Sequence, residues 1–293
     1  MNDRIRSICS LLLCLILTLT LASCAGKKPE YEGPISPDAA EGSSPLTAEE
    51  TADALPADGA AVVPGGKSIS PAKALKIYQK AVRDIKTQAP GFTRLDWQSF
   101  SEIDAGDVTG IASGILSILA KNLVRRGSES EALADPDRVA KGDGAAAAEK
   151  FPLFGSSSAY AETDDGSFLY DAKYFKGDGY KEYYLFFTPE IDPASGGKGM
   201  GSLISPFDRE GMLESVRTYV PAVDPDSLRL DCVYSGCYLM FRVDGRGKLL
   251  RLENHLYSRV YAAADIDIVV ASAEVFRGSC KLEEHYVFTD FEY

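Results

Sequence analysis

Few residues in this chain have both the type and the spacing for chemistry. There are six cysteines and two histidines. Cys9, Cys14 and Cys24 fall in the apolar N-terminus, which leaves Cys232, Cys237 and Cys280 in the body of the chain. Three is odd, so at most one internal disulfide can form. A two-residue turn at Ser235-Gly236 would set Cys232 and Cys237 diagonally, about 7–8 Å apart and too far to bridge. A four-residue loop would let them face one another and pair, and Cys280 could instead meet either across a sheet. Buried, unpaired thiols are the plain alternative. A zinc site would have to add His255 or His285 to these cysteines, and the spacing is not that of a zinc knuckle. His285 follows Glu283 and Glu284. In a strand it shares a face with Glu283 and not with Glu284. Glu190 and Asp192 precede a Gly-rich loop and could take a hard cation, but no calcium-loop pattern is present. No His-Glu-x-x-His and no Gly-x-Ser-x-Gly occurs, so no catalytic residue is assigned. A pair of carboxylates for glycoside hydrolysis stays open, since the chain is rich in acids.

Two phosphate-loop signals fail on inspection. "PGGKS" at Pro64–Ser68 lacks the first Gly of a phosphate loop, because position 61 is Ala. Gly197, Gly199 and Gly201 match a dinucleotide fingerprint only superficially, with Ser205-Pro206 following and antiparallel patterning all around. That stretch reads as a flexible surface loop, and no cofactor is implied.

The N-terminus is more informative. Arg4 and Arg6 precede an apolar run from Leu11 through Leu21, shorter than the roughly 20 residues a membrane span needs. Small residues Ala22 and Ser23 then lead into Cys24, followed at once by polar sequence. Leu21-Ala22-Ser23-Cys24 resembles the lipobox of bacterial lipoproteins. The resemblance implies a signal peptide over residues 1–23, Cys24 as the mature N-terminus, and a diacylglycerol on its thiol. Two acyl chains anchor stably where one does so marginally. The expected location is the extracytoplasmic face of the cell membrane. Ala25 is not Asp, which in a two-membrane envelope favours the outer membrane.

Residues 25–69 are rich in Pro, Gly, Ala, Ser and Glu and poor in large apolar residues. Such a segment cannot bury enough surface to offset the entropy of ordering, so a disordered tether is expected. Its reach is roughly 40 Å. The whole chain carries a net charge of −12. An acidic balance excludes a nucleic-acid binder, which needs a basic face.

From Ser70 the pattern turns globular. Ser70 and Pro71 suit a helix start, and Leu75, Tyr78, Val82 and Ile85 recur at helical spacing. Lys73, Lys76, Lys80 and Arg83 lie opposite, a face expected to be solvated rather than membrane-bound. Pro90-Gly91 ends this helix. Phe92–Ile103 reads as extended, and a second helix is expected over Asp107–Arg125. Ser128–Lys150 reads as a loop with a short helix at Ala145–Lys150. Three strands are expected around Asp165-Gly166 and Gly177-Asp178-Gly179. A third helix, Asp208–Tyr219, presents Met212, Val216 and Tyr219. A meander follows: Ser227–Tyr234, Cys237–Asp244, Lys248–Tyr257, Arg259–Ser272, and Ala273–Tyr293 with a break near Gly278. Strand runs punctuated by a few helices predict an α+β domain over residues 70–293. Its curved antiparallel sheet could bend into a half-barrel carrying two to three packed helices.

The stretch "ALKIYQKAVRDIKTQAPGFTRLDWQSF", a Gly/Ile-rich helix and a C-terminal meander ending "HYVFTDFEY" resemble uncharacterised secreted lipoproteins of Firmicutes. The architecture is also similar to the half-barrel lipoprotein carriers, which hold acyl chains between sheet and helices. The first likeness carries no activity with it; the expected role is an anchored, non-enzymatic domain that binds an apolar ligand or an envelope protein. An envelope-polymer-modifying enzyme using carboxylates is the alternative.

Overall fold

The computed structural model describes residues 66–104, 126–150, 166–194, 199–204, 206–219, 227, 229–268 and 271–293. The lipobox, Cys24, the tether as far as residue 65, the helix expected over Asp107–Arg125 and the first of the three expected strands lie outside the described residues.

The domain is α+β, built on one open antiparallel sheet of ten strands. The strands are β1 (Lys67–Ser68), β2 (Gly91–Asp104), β3 (Asp137–Val139), β4 (Leu169–Lys176), β5 (Tyr180–Phe187), β6 (Glu190–Ile191), β7 (Arg229–Tyr234), β8 (Tyr238–Asp244), β9 (Leu249–Ile268) and β10 (Ala271–Glu292). The described helices are α1 (Pro71–Gln88), α2 (Glu129–Ala134), α3 (Gly144–Lys150) and α4 (Arg209–Tyr219). The sheet runs β1-β4-β5-β8-β9-β10-β2-β3, and β7 joins β9 on one side and β6 on the other.

Helix α1 forms as its periodicity predicts. Pro71 needs no intrahelical N–H at the first turn, and the Ser70 carbonyl accepts from Lys73 and Ala74. The Ser70 hydroxyl makes no capping bond. Ala89 turns left-handed (φ 42°) and closes the helix on Ile85 before Pro90. Leu75, Tyr78, Val82 and Ile85 are all buried against the sheet. Each contributes about 1.5–3 kcal/mol of apolar burial. Tyr78 packs on Phe241 at 5.3 Å, and Phe241 stacks on Tyr183 at 4.9 Å. Lys73, Lys76, Lys80 and Arg83 are exposed.

Alternation then divides the sheet. Leu252, Leu256 and Val260 of β9, with Cys280, Leu282 and Phe288 of β10, belong to the core and define the inner face. The intervening residues form the outer face. There a small second cluster of Leu95, Val287 and Ala132, with Trp97 beside it, seats α2.

Several expectations are corrected. Ordered structure starts before Ser70: Lys67 and Ser68 pair with Tyr174 and Lys173, and Ile69 bonds to Ala172. Edge pairing uses the backbone, so it succeeds where side chains offer little to bury. Ser128–Lys150 is not a plain loop, since it contains α2 and β3. The signal for α2 was present: Ser128 accepts from the Glu131 N–H while the Glu131 carboxylate accepts from the Gly127 N–H, a variant of the Ser-x-x-Glu box. The described part of the Gly-rich loop is packed, with Met200 and Ile204 fully buried. Gly201 approaches so closely that a Cβ there would meet the Ala194 carbonyl at 2.0 Å. Strand β9 runs unbroken through Ser258, and β10 runs through Gly278 opposite Ala262. In α4, Leu213 is buried; the side chains of Met212, Val216 and Tyr219 lie outside what is described.

The largest correction concerns Ser235-Gly236. It is not a hairpin turn. Strands β7 and β8 follow one another along the same edge of β9, Tyr234 opposite Ser258 and Tyr238 opposite His255. Gly236 (φ 70°) takes up the offset between them. The true hairpin is at Asp244–Lys248, where the Asp244 carboxylate accepts from the Arg246 and Lys248 N–H groups.

Candidate functional site

The two histidines of the chain come together on the outer face. His255 of β9 lies directly opposite His285 of β10. Their Nδ1 atoms are 3.0 Å apart. Each strand carries an acid two residues earlier on the same face, Glu253 and Glu283. Because the strands are antiparallel, these acids flank the pair from opposite ends. The Glu253 carboxylate is 2.9 Å from Nε2 of His255, and Glu283 is 3.9 Å from Nε2 of His285.

This geometry assigns the protons of the neutral pair. A carboxylate only accepts, so His255 Nε2–H donates to Glu253. His255 Nδ1 is then an acceptor, and His285 Nδ1–H donates to it. His285 Nε2 is left as a lone pair facing Glu283, and 3.9 Å is too long for a hydrogen bond. Burial, then the neighbouring His255, push the His285 imidazolium down to about 4, against the pull of Glu283 and Glu253. Burial works to raise the Glu253 carboxyl, but hydrogen bonds from His255 and Arg251 outweigh it and hold it below the usual range.

Rings extend the pair across the sheet. His255 stacks on Tyr238 at 4.3 Å, and His285 stacks on Trp97 at 4.9 Å. Tyr238 neighbours Phe186 at 6.2 Å, and Phe186 neighbours Tyr170 at 5.9 Å. The row Tyr170–Phe186–Tyr238–His255–His285–Trp97 therefore crosses six strands. Tyr170 is 58% exposed at one end. Beside the row, Glu182 accepts from the Arg242 guanidinium at 2.6 Å and from the Tyr184 hydroxyl at 2.8 Å. Tyr238 on His255 and Trp97 on His285 stack near-parallel, Phe186 is tilted against both Tyr170 and Tyr238, and the two imidazoles meet edge to face at 76°.

Of the residues singled out in the sequence, His285 and Glu283 do share a face, and Glu284 lies on the other. The structure adds Glu253, His255, Tyr238, Trp97 and the rest of the row. Their legible trace is the repeated triplet Glu253-Asn254-His255 and Glu283-Glu284-His285. Glu190 and Asp192 do not converge on a cation site. Glu190 accepts from the Met200 N–H; Asp192 accepts from the Cys232 N–H and pairs with Arg209. Among the described residues no group of three or more His, Cys, Asp or Glu side chains is placed to hold a metal.

The internal cysteines are free and buried, and none of the possible bridges is present. Cys232 and Cys237 lie along one strand path, on the order of 15 Å apart, rather than across a hairpin. Cys232 and Cys280 both pair with Val260, from opposite sides, which separates them by two strand spacings, about 10 Å. Burial pushes the Cys232 and Cys237 thiols up to about 12 and Cys280 to about 11. Burial and the raised thiols both work against forming the nucleophilic thiolate.

No family model, no curated protein and no solved structure matches the chain.

Proposed function

We propose that the protein is a membrane-anchored, extracytoplasmic lipoprotein whose outer sheet face binds an apolar ligand or an envelope protein. The observation that carries the binding part is the row of six rings from Tyr170 to Trp97 on the face opposite α1. Large ring surface outside the main core, with paired charges beside it, has the anatomy of a recognition surface. The anchor rests on Leu21-Ala22-Ser23-Cys24 and the preceding apolar run. Among the described residues no helix is long and apolar enough to cross a membrane.

Trp97 is the single tryptophan and ends the row, so its emission reports on this face. Full-length acylated protein is titrated with fatty acids and with fragments of envelope polymers. A saturable change that Tyr238→Ala abolishes supports the reading; no response to any of them sinks it. Cys24→Ala should lose both acyl labelling and membrane fractionation.

The Glu253–His255–His285–Glu283 chain favours one second reading, general acid–base action on an envelope polymer. The bare His285 Nε2 would be the base. Turnover of such a polymer that disappears in His285→Gln would establish it in place of simple binding.

A further inference from the structure

Helix α1 carries a surface feature that the ring row does not use. From Pro71 to Arg83 its exposed residues are Lys73, Lys76, Lys80 and Arg83, with no acid among them. Spacings of three, four and three residues set them in one line about 15 Å long. The whole chain carries a net charge of −12, so a purely basic line runs against the rest of its composition.

Surface cations commonly pair with acids of their own domain. Among the described residues Lys73, Lys76 and Lys80 have no side-chain hydrogen bond or ion pair. Asp84, the one acid of the helix, is half-buried and acts on the Tyr293 hydroxyl. The helix dipole adds to the cost, because a helix N-terminus favours acids and disfavours cations. The first turns of α2 and α4 follow that preference with Glu129, Glu131 and Glu210. The first turn of α1 holds no acid and contains Lys73. A local preference broken without a local gain points to a demand from outside the domain.

The line also limits what can meet it. One phosphate reaches neighbours about 5–6 Å apart, not both ends of the stripe. A surface of repeated negative charge matches all four cations. α1 is the first described helix after Cys24. Residues 25–65, at up to about 3.5 Å each when extended, are ample for it to reach the surface that would hold Cys24. We propose that the Lys73–Lys76–Lys80–Arg83 stripe docks on anionic lipid headgroups of the membrane in which Cys24 is anchored. The docking rests on the anchor proposed above. Each cation held near a charged bilayer strengthens binding by about fivefold. Since α1 packs on the inner face of the sheet, docking turns the ring row away from the bilayer and toward ligands in the envelope.

The test reconstitutes full-length acylated protein in vesicles of phosphatidylcholine alone, or mixed equally with phosphatidylglycerol. Peptide mass spectrometry reads the rate at which each lysine is acetylated. Lys73, Lys76 and Lys80 should react at least about fivefold more slowly on the anionic vesicles. Lys176 and Lys181, exposed on β4 and β5, should keep their rates. Molar salt, which shortens the screening length to about 3 Å, should remove the difference. Lys76→Gln with Lys80→Gln should return the Lys73 rate toward its phosphatidylcholine value. Equal rates on the two vesicles, or protection spread evenly over all of these lysines, overturns the docking. Soluble polyphosphate that protects the stripe on phosphatidylcholine as strongly as phosphatidylglycerol does also overturns it, in favour of a soluble polyanion. Flotation keeps the anchor separate. Protein that fails to float with phosphatidylcholine vesicles sinks the anchor, whereas equal rates on protein that floats sink the docking alone.

Discussion

Glu253 and His255 on the outer face of β9, and Asn254 between them on the inner face, are consecutive residues with opposite fates. The outer pair is tied into a chain that continues through His285, with Arg251 bonded to Glu253 as well. Among the described residues, neither end of the Asn254 amide finds a hydrogen-bonding partner. Across the ladder Glu283 and His285 face outward, while Glu284 between them is buried. The same triplet thus places a charge-and-imidazole network on one face and a buried amide or carboxyl on the other, Glu284 held by Gln98 and Tyr286. The outer face stays half-exposed, so ionised groups keep some hydration while they pair, and Arg242, Arg251 and Lys281 supply counter-charges there. The inner face is buried against the core, where a polar group keeps little hydration and relies on neighbouring side chains such as Gln98 and Tyr286.

Five measurements would break or sharpen this contrast. The largest effect is expected where the inner face is purely apolar. Phe241→Ala removes a fully buried ring that touches Tyr78 and Tyr183, and should cost about 3–5 kcal/mol in denaturant unfolding. A loss below 1 kcal/mol would mean that α1 does not seal this face.

Next comes Glu284→Gln. The folded carboxyl is raised from 4.5 to about 7, so the unfolded chain releases its proton first. Wild-type stability from this group is therefore present below about pH 4.5 and lost as pH rises toward 7. Glutamine keeps an oxygen for Gln98 and Tyr286 and does not titrate. At pH 8 the variant should be more stable than wild type by up to about 3 kcal/mol, with the advantage shrinking toward pH 4.5.

His285 works in the other direction. Its folded value is lowered from 6.5 to about 4, so the unfolded chain takes up the proton first. Stability from this group is present above pH 6.5 and lost as pH falls toward 4. His285→Gln should flatten that acid limb in melts between pH 4 and 7. Nitrogen-15 NMR at neutral pH should find the proton on Nε2 of His255 and on Nδ1 of His285. The reverse assignment would break the hydrogen-bond chain drawn from the distances.

The smallest effect belongs to Tyr170→Ala at the exposed end of the ring row. It should change stability by no more than about 0.5 kcal/mol while weakening any ligand read by Trp97 emission. A large loss of stability would make the row a second core rather than a surface.

Much of the scaffold was legible in the sequence. The apolar stripe of α1, the turns at Gly177–Gly179 and Asp244–Gly247, and the strands flanking them follow from local periodicity and turn chemistry. So does the sharing of one face by Glu283 and His285. The site as a whole was not legible, because its members sit on β2, β4, β5, β8, β9 and β10. Glu253 and His255 looked like ordinary strand residues until the register set them against His285.

Residue order alone determined which face each strand residue takes, since alternation is a property of the extended backbone. It also placed α1, α3 and α4 but not α2, and set the expectation of a lipid anchor at Cys24. The tertiary structure decided everything that depends on pairing partners distant in sequence. It set His255 opposite His285, laid β7 and β8 end to end on one edge of β9, and kept Cys232, Cys237 and Cys280 apart. It also buried Glu284 beside Gln98 and the Tyr286 hydroxyl, which donate to it. Register is set by the summed packing and hydrogen bonding of whole strands, which no short window of sequence contains.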